Sequence, residues 1–547
     1  MKGPGRLLGL LATAALLALA PLPSAGAPAA AHRLSLAIEP GLEEEARSFL
    51  RAHPLPEGWT TLEGKNAGGA VGGSGSAGGV AGGSGSAGGA MSGPGSAGGV
   101  AGGARRAGAV FSLGWTQGRQ GPRAAGPGSG EVVLETRWLV AVVDFADPRY
   151  EATREEALAI GLSPLEELWL PGRALPVDGL FPGERGYPFT RELVARVRAS
   201  DPEEARVLSL WLEASREPGL AGTARSASQE SPTQERPWLL GAVGDIQIGP
   251  DEAPLLFQGR RGLRALFGDV LGELERPELL VGNLEGPVTS GGLPNPRKRF
   301  QFRFPPGTTA ALAAAGFDLL LFANNHVLDY GEEGLLSTLE DSRQSGLPLV
   351  GAGRNEDEAL GGASLVAPGG GARLRFFGFA RYPREARGFT TEEAEAGAAK
   401  PGTNSDEAAT MEAIREARAA GEVVVLLCHG GNEYRFDPSE EIRTRYRGFI
   451  DAGASLVLAS HPHVLQGVEA YHDGLIAYSL GNFLFTGESE PFMAEEGGML
   501  RILVYKGRIC GLDLLPIFSG YYGTSKSGLP RDTLKAFAAR TRILSGK

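Results

Sequence analysis

Five short apolar runs in the second half of the chain each end in side chains suited to holding a metal ion. Residues 238–244 (WLLGAVG) run into Asp245, residues 279–284 (LLVGNL) into Glu285, and residues 317–324 into Asn325 and His326. Residues 423–428 (VVVLLC) lead to His429, and residues 456–460 (LVLAS) to His461 and His463, which flank Pro462. The chain has seven histidines, and four of them stand at three of these five ends, which scattered placement does not produce. Imidazole mixed with carboxylate and amide oxygen, without thiolate, suits zinc, manganese or iron. Two such ions about 3.5–4 Å apart can hold both the entering and the leaving oxygen of a displacement reaction. A carboxylate between them offsets their repulsion, and a nearby imidazole, with a pKa close to neutrality, can pass a proton to the leaving group.

Such residues act together only if the elements before them aim at one place. In α/β sheets, ligand sites gather at the carboxyl ends of parallel strands, and the five apolar runs have the composition of strands buried on both faces. Helices are expected between them, at 332–345 before Gly346, at 405–420 before Gly421, and from Asp437 as N-cap through Pro438 and Glu440 to Gly453. Hairpin turns are expected at Asp473-Gly474 and Lys506-Gly507. The predicted class is therefore α/β. Cys428 falls inside a strand and reads as a buried thiol; the chain has only two cysteines, so no disulfide framework follows.

The rest of the chain sets the context. Lys2 and Arg6 precede an apolar run over 7–19, and Ala25-Gly26-Ala27 offers small residues for cleavage, so 1–27 is expected to be an export signal, with an uncleaved anchor as the alternative. The protein is then expected outside the cytoplasm, in the periplasm or its equivalent. Residues 28–64 begin an N-terminal domain. Residues 65–130 carry a ten-residue Gly/Ser/Ala repeat that cannot bury enough apolar surface to order itself, and are expected to be a disordered insertion. A small α/β domain is expected over 131–218, with one or two strands and then helices near 154–160 and 190–199. Residues 219–236 read as a linker, 237–525 as the main domain, and 526–547 as a tail helix. With 53 Lys and Arg against 64 Asp and Glu, the net charge of −11 argues against a nucleic-acid partner. One basic cluster, Arg297-Lys298-Arg299 beside Phe300 and Phe302, is either a solvated loop or an attractor of anionic substrate.

The motifs VGDIQIG, GNLEGPVT, ANNHVLDYGEEGL, HGGNEYRFDPS, DAGASLVLASHPHVLQGVEAY and IAYSLGNFLF, in this order over about 238–520, closely resemble CapA-type capsule-synthesis (poly-γ-glutamate) proteins. That family sits in the metallo-dependent phosphatase superfamily. The resemblance implies a four-layer α/β/β/α sandwich and a site binding one or two divalent ions (Mn, Zn or Fe). By position it makes Asp245 a metal ligand, Glu285 the bridging carboxylate and Asn325 an amide ligand. His429 becomes a ligand of one ion, and His461 and His463 divide between the two. His326 becomes the general acid and Asp329 the residue that orients it. Glu433 and Tyr434 are implied as pocket-wall residues and Asn482 as the holder of an adjacent loop. Asn324 is expected to be structural. The chain departs from the pattern at Gln247, where the superfamily has a histidine; an amide oxygen is the poorer zinc ligand.

The resemblance implies a metal-dependent hydrolase acting on phosphoesters or an anionic envelope polymer, tied to capsule or poly-γ-glutamate synthesis, with a membrane-bound polymer synthase as partner. The alternative, favoured by Gln247, is a non-catalytic polyanion-binding or export factor.

Overall fold

Alternation along each strand decides which core its side chains enter. In the Val423–Gly430 strand, Val423, Val425 and Leu427 join one apolar cluster, while Val424, Leu426 and Cys428 join another. In the Leu279–Leu284 strand, Leu279 and Val281 are likewise separated from Leu280 and Leu284. A strand apolar at every position is thus covered on both faces.

The structure is a computed structural model and describes residues 32–38, 43–52, 55, 59–62, 109–117, 129–147, 149, 151–168, 172–198, 202–214, 236–368, 373–383, 388–486, 492–520, 523–525 and 532–544. The expected export signal, 1–27, lies outside the described residues, as does the expected linker up to residue 235.

Two sheets build the part of the chain that carries the motifs. The first is ordered Leu349–Val350, Leu319–Leu321, Leu279–Leu284, Trp238–Gln247, Glu496–Tyr505, Arg508–Gly520 and Gly523–Ser525. Its first four strands are mutually parallel, Asn482–Phe485 adds a parallel pairing to the end of Trp238–Gln247, and the last three strands run antiparallel. The second sheet is ordered Ala363–Val366, Arg373–Arg381, Val423–Gly430, Leu456–Ser460, Gly474–Ala477 and Val468–Tyr471. Its four central strands are parallel and its edge strands antiparallel. One apolar cluster takes side chains from both sheets, including Leu240, Leu321, Phe376 and Leu458. The other face of the first sheet packs against the helices Gly259–Phe267 and Gly331–Ser345. The other face of the second packs against Glu407–Ala419 and Glu440–Ala452. Burying each Leu, Val, Ile or Phe of these clusters contributes roughly 1.5–3 kcal/mol against exposure. The α/β class and the hairpin turning at Lys506-Gly507 are as expected; the other hairpin is present but turns one residue earlier than expected, at His472-Asp473, with Gly474 paired to Tyr471.

Helix boundaries follow local chemistry. Ser439, not Asp437, caps Glu440–Ala452, its side chain accepting from the Ile442 N–H; this moves the first helical residue past Pro438. Asp406 caps Glu407–Ala419 in the same way. Residues 190–199, expected as a helix, are a strand, Thr190–Arg198. Leu193, Ala195 and Val197 stand two apart, a spacing compatible with a strand. The tail helix spans Asp532–Leu544.

The chain divides into two compact units, at places other than the expected linker. One comprises residues up to 114, 124–132 and 194–215. In it the His32–Ile38 strand pairs in parallel with Trp59–Leu62 and with Ala109–Leu113. The strand Ala109–Gln117 corrects the expectation of disorder throughout 65–130: Val110, Phe111, Leu113 and Trp115 supply the apolar and aromatic content that the Gly/Ser repeat lacks. The other unit holds 115–123, 133–193 and 216–547. There Val140, Leu165, Leu175 and Phe181 pack on Leu239, Leu503 and Tyr505, so 133–193 belongs with the large domain and not to a separate one. No described helix is long and apolar enough to cross a membrane.

Candidate metal centre

The carboxyl ends of the parallel strands of both sheets meet. Asp245 and Glu285 close two strands of the first sheet and are fully buried; His429 closes a strand of the second and is fully buried too. Asn325 and His326 follow Leu319–Leu321, and His461 and His463 follow Leu456–Ser460. All eight expected site residues, Asp329 included, lie in one cluster.

Its geometry is organised around Glu285. The Oε1 atom lies 3.9 Å from His326 Nε2, 4.0 Å from His429 Nε2 and 3.9 Å from His463 Nε2. On the far side of each ring, Nδ1 meets an oxygen: Asp329 Oδ2 at 2.7 Å from His326, Ser460 Oγ at 3.2 Å from His429, and Asn482 Oδ1 at 2.9 Å from His463. An imidazole that donates from Nδ1 keeps its Nε2 lone pair, the arrangement by which metal-ligating histidines are oriented. His429 Nε2 also stands 2.9 Å from Asn325 Oδ1 and 3.1 Å from His461 Nδ1. Asp245 accepts from Asn283 Nδ2 at 2.8 Å and from the His461 N–H at 3.2 Å, and its Oδ2 is 3.4 Å from His463 Nδ1.

Protonation follows from burial. Burial first, and then His461, His463, His326 and Lys298, hold His429 well below the usual imidazole range. Burial, followed by His463, His326 and Lys298, does the same to His461. Both rings are therefore neutral at pH 7, the form in which imidazole binds a metal.

The backbone bends to deliver these groups. His461 and His463 have φ of 98° and 56°, a conformation that costs a non-glycine residue of order 1–3 kcal/mol and persists where surrounding contacts dictate it. Gly481 (φ 67°) lets its carbonyl approach the backbone of Gly244 and accept from the Asp245 N–H at 3.1 Å. That contact carries Asn482 to His463; Asn482 also donates to Ala494 O.

Other participants were not read as parts of the centre. Lys298 is buried, its Nζ 2.7 Å from Asn325 O, 3.1 Å from Asp329 Oδ1 and 3.2 Å from His326 Nδ1. Phe302 stacks on the His326 ring with centroids 4.0 Å apart and donates its N–H to Asp329 Oδ2. Asn283 links Asp245 to Asn324, which holds the Leu284 carbonyl and the His326 N–H, the structural role expected of Asn324. The visible signal was the polar Asn inside the run LLVGNL; Lys298 was marked only as one of a basic cluster, whose other members Arg297 and Arg299 are exposed.

These donors suit a divalent cation. Around an ion with ligands at about 2.0–2.2 Å, neighbouring donor atoms sit roughly 3–3.5 Å apart, close to several spacings above. Asp245, Glu285 and His463 can each offer an atom within 4.8 Å of the others, and so can Glu433, His461 and His463. Gln247, two residues beyond Asp245 on the same strand, is buried, and its Oε1 accepts no hydrogen bond among the described residues. The cluster floors an open cleft of about 950 Å³ whose lining includes His326, His461, His463, Arg299, Tyr434 and Arg435.

A mixed α/β domain that buries carboxylates and neutral imidazoles beneath an open cleft carries a donor set that could hold a divalent cation. Residues 239–487 match the family described as Bacterial capsule synthesis protein PGA_cap, which makes this part of the chain similar to capsule-synthesis proteins of the CapA type. It is similar to the PGA biosynthesis protein CapA of Bacillus subtilis, with 31% identity over 244 residues, covering 44% of this chain and 62% of that one. It is similar also to the capsule biosynthesis protein CapA of Bacillus anthracis, 30% identical over 247 residues, covering 44% and 58%. The chain thus spans about three-fifths of the length of these relatives.

Proposed function

We propose that the cleft is a metal-dependent hydrolase site acting on phosphoesters or an anionic envelope polymer, in an exported protein of capsule or poly-γ-glutamate synthesis that works beside a membrane-bound polymer synthase. The observation that carries this is Glu285 Oε1 standing about equally far from three Nε2 atoms whose rings are each backed at Nδ1 by an oxygen. We read the two sheets and their outer helices as the four-layer α/β/β/α sandwich of metallo-dependent phosphatases.

In this reading Asp245, Glu285, Asn325, His429, His461 and His463 hold one or two divalent ions, which when bound supply Lewis acidity toward a phosphoryl or acyl oxygen. His326 presents Nε2 to the cleft and, as the imidazolium, would deliver the Nε2 proton to the leaving oxygen; Asp329, accepting from Nδ1 and from the Phe302 N–H, orients the ring and favours that charged form. Phe302 keeps water from one face of that ring. Arg297 is committed to Glu393 at 3.0 Å and Lys298 is buried, so Arg299 and Arg435 provide the positive rim that would draw an anionic substrate.

The test uses the full chain loaded with manganese or zinc and a generic phosphodiester and phosphomonoester. His326→Ala should lower turnover by about 10²–10⁴ while leaving metal content, measured by elemental analysis, unchanged. Equal rates for wild type and variant with every metal would reject catalysis. A second reading, a non-catalytic polyanion-binding factor, is favoured by the weak amide donor at Gln247; binding of a polyanion with no turnover would select it.

A further inference from the structure

Two sets of donor atoms meet at His463. One is fully buried, Asp245 and Glu285 with His463; the other faces the cleft, Glu433 and His461 with His463. The His463 ring has its Nδ1 at Asn482 Oδ1, so it has one lone pair, on Nε2, to give. A single lone pair serves one ion. Whichever set takes it, the other must draw its nitrogen elsewhere, and for the buried set that nitrogen is at hand: His429 Nε2, 4.0 Å from Glu285 Oε1 and 2.9 Å from Asn325 Oδ1. For the cleft-facing set no such substitute is needed, because Glu433 and His461 already stand within reach of His463.

The segment that carries Glu433 is fastened to the histidines. The Tyr434 N–H donates to the Pro462 carbonyl at 2.8 Å, between His461 and His463, and Gln466 Nε2 donates to Arg435 O at 2.7 Å. Tyr434 takes φ of 59° to make the turn, and its ring lies 5.9 Å from that of His463. Glu433, an exposed residue at the cleft wall, is therefore set in register with the two imidazoles and moves with them.

We propose that Glu433, His461 and His463 form the cleft-side position for a divalent cation, with Glu433 as its carboxylate ligand, beside a buried position formed by Asp245, Glu285, Asn325 and His429. The inference rests on the metal-centre reading above and adds a ligand that neither the motif resemblance nor the strand-end pattern assigns. It also makes the outer ion the one a substrate entering the cleft meets first, so that the outer position, with an exposed ligand, exchanges its ion more readily than the inner.

The experiment is a titration of chelator-stripped full-length protein with Mn²⁺, followed by calorimetry for stoichiometry and affinity and by electron paramagnetic resonance for coupling between neighbouring ions. Wild type should take two ions per chain, with a coupled signal. Glu433→Gln should weaken the lower of the two affinities at least tenfold, abolish the coupled signal at one equivalent of added metal per site, and leave the higher affinity within threefold. Because Glu433 is exposed, the thermal unfolding of the metal-free variant should match wild type, which separates a lost ligand from a lost fold. Two ions bound by Glu433→Gln with unchanged affinities would overturn the assignment of Glu433 and leave the buried centre standing. A wild-type protein that binds no ion would overturn the metal-centre reading itself, and this inference with it.

Discussion

Arg173 and the cleft floor are both charged and both buried, and they treat burial in opposite ways. The Arg173 guanidinium is fully enclosed and donates to four carbonyls: Phe145 at 3.1 Å, Leu512 at 3.4 Å, Asp147 at 2.7 Å, and Arg149. Every contact is a donor meeting an acceptor, and together they join residues 145–149 to the Arg508–Gly520 strand. In the cleft floor, by contrast, carboxylate and amide oxygens crowd against ring nitrogens whose donor or acceptor role turns on the tautomer. Glu285 Oε1 looks toward three Nε2 atoms, and His429 Nε2 toward Asn325 Oδ1 and His461 Nδ1. A fold that satisfies one buried charge so fully has no structural reason to crowd carboxylate and imidazole lone pairs together. The difference fits the proposal that the second cluster is arranged to hold a cation.

The comparison breaks first at Arg173. Arg173→Met leaves buried carbonyls without their donor, and breaking a buried charged network costs about 3–5 kcal/mol. Chemical denaturation should show that loss, with metal binding to the surviving folded fraction unchanged; a variant as stable as wild type would erase the contrast. Glu285→Gln should behave in the reverse sense. Removing one charge from the crowded floor should leave the metal-free protein as stable as before, or more so by up to about 1 kcal/mol. Metal affinity should fall by more than 100-fold, beyond the roughly 10–100-fold typical of residues that only orient ligands. A metal-free Glu285→Gln protein that melts well below wild type would mean that the carboxylate is there to hold the fold.

The same contrast explains what the sequence made legible. Asp245, Glu285, His429, His461 and His463 were readable because each follows an apolar run, and parallel strands fix where their ends point. Asn325 and His326 were readable from the same pattern, whereas Asp329 was readable only through the motif resemblance. Lys298 was legible only as one of a basic cluster, and Glu433 only, through the resemblance, as a pocket-wall residue. Both sit in loops, and a loop side chain reaches the site through tertiary contacts such as the Tyr434 N–H to Pro462 carbonyl bond, which leaves no periodic trace. The same holds for 133–193, whose attachment to the large domain depends on Arg173 and on apolar contacts to Leu239, Leu503 and Tyr505. Thr190–Arg198 was misread because nine residues of mixed apolar and charged type fit two periods, and only its place in the fold decides between them.

The smallest expected effect is also the finest test of how the floor is organised. Ser460 Oγ lies 3.2 Å from His429 Nδ1, and the Asn283 amide nitrogen is 3.3 Å from the same atom. Both Nδ2 and a protonated Nδ1 are donors, so the two cannot bond to each other once Nδ1 carries its proton, and Ser460 becomes the acceptor that keeps the Nε2 lone pair facing Glu285. Ser460→Ala removes that acceptor and lets Asn283 donate to an unprotonated Nδ1, which turns the proton onto Nε2 and away from use as a ligand. Metal affinity should then fall about tenfold, at the low end for an orienting group, and the ¹⁵N chemical shifts of His429 in the metal-free protein should report the change of tautomer. Unaltered affinity with unaltered shifts would show that His429 is held by its burial alone and that Ser460 takes no part in aiming it.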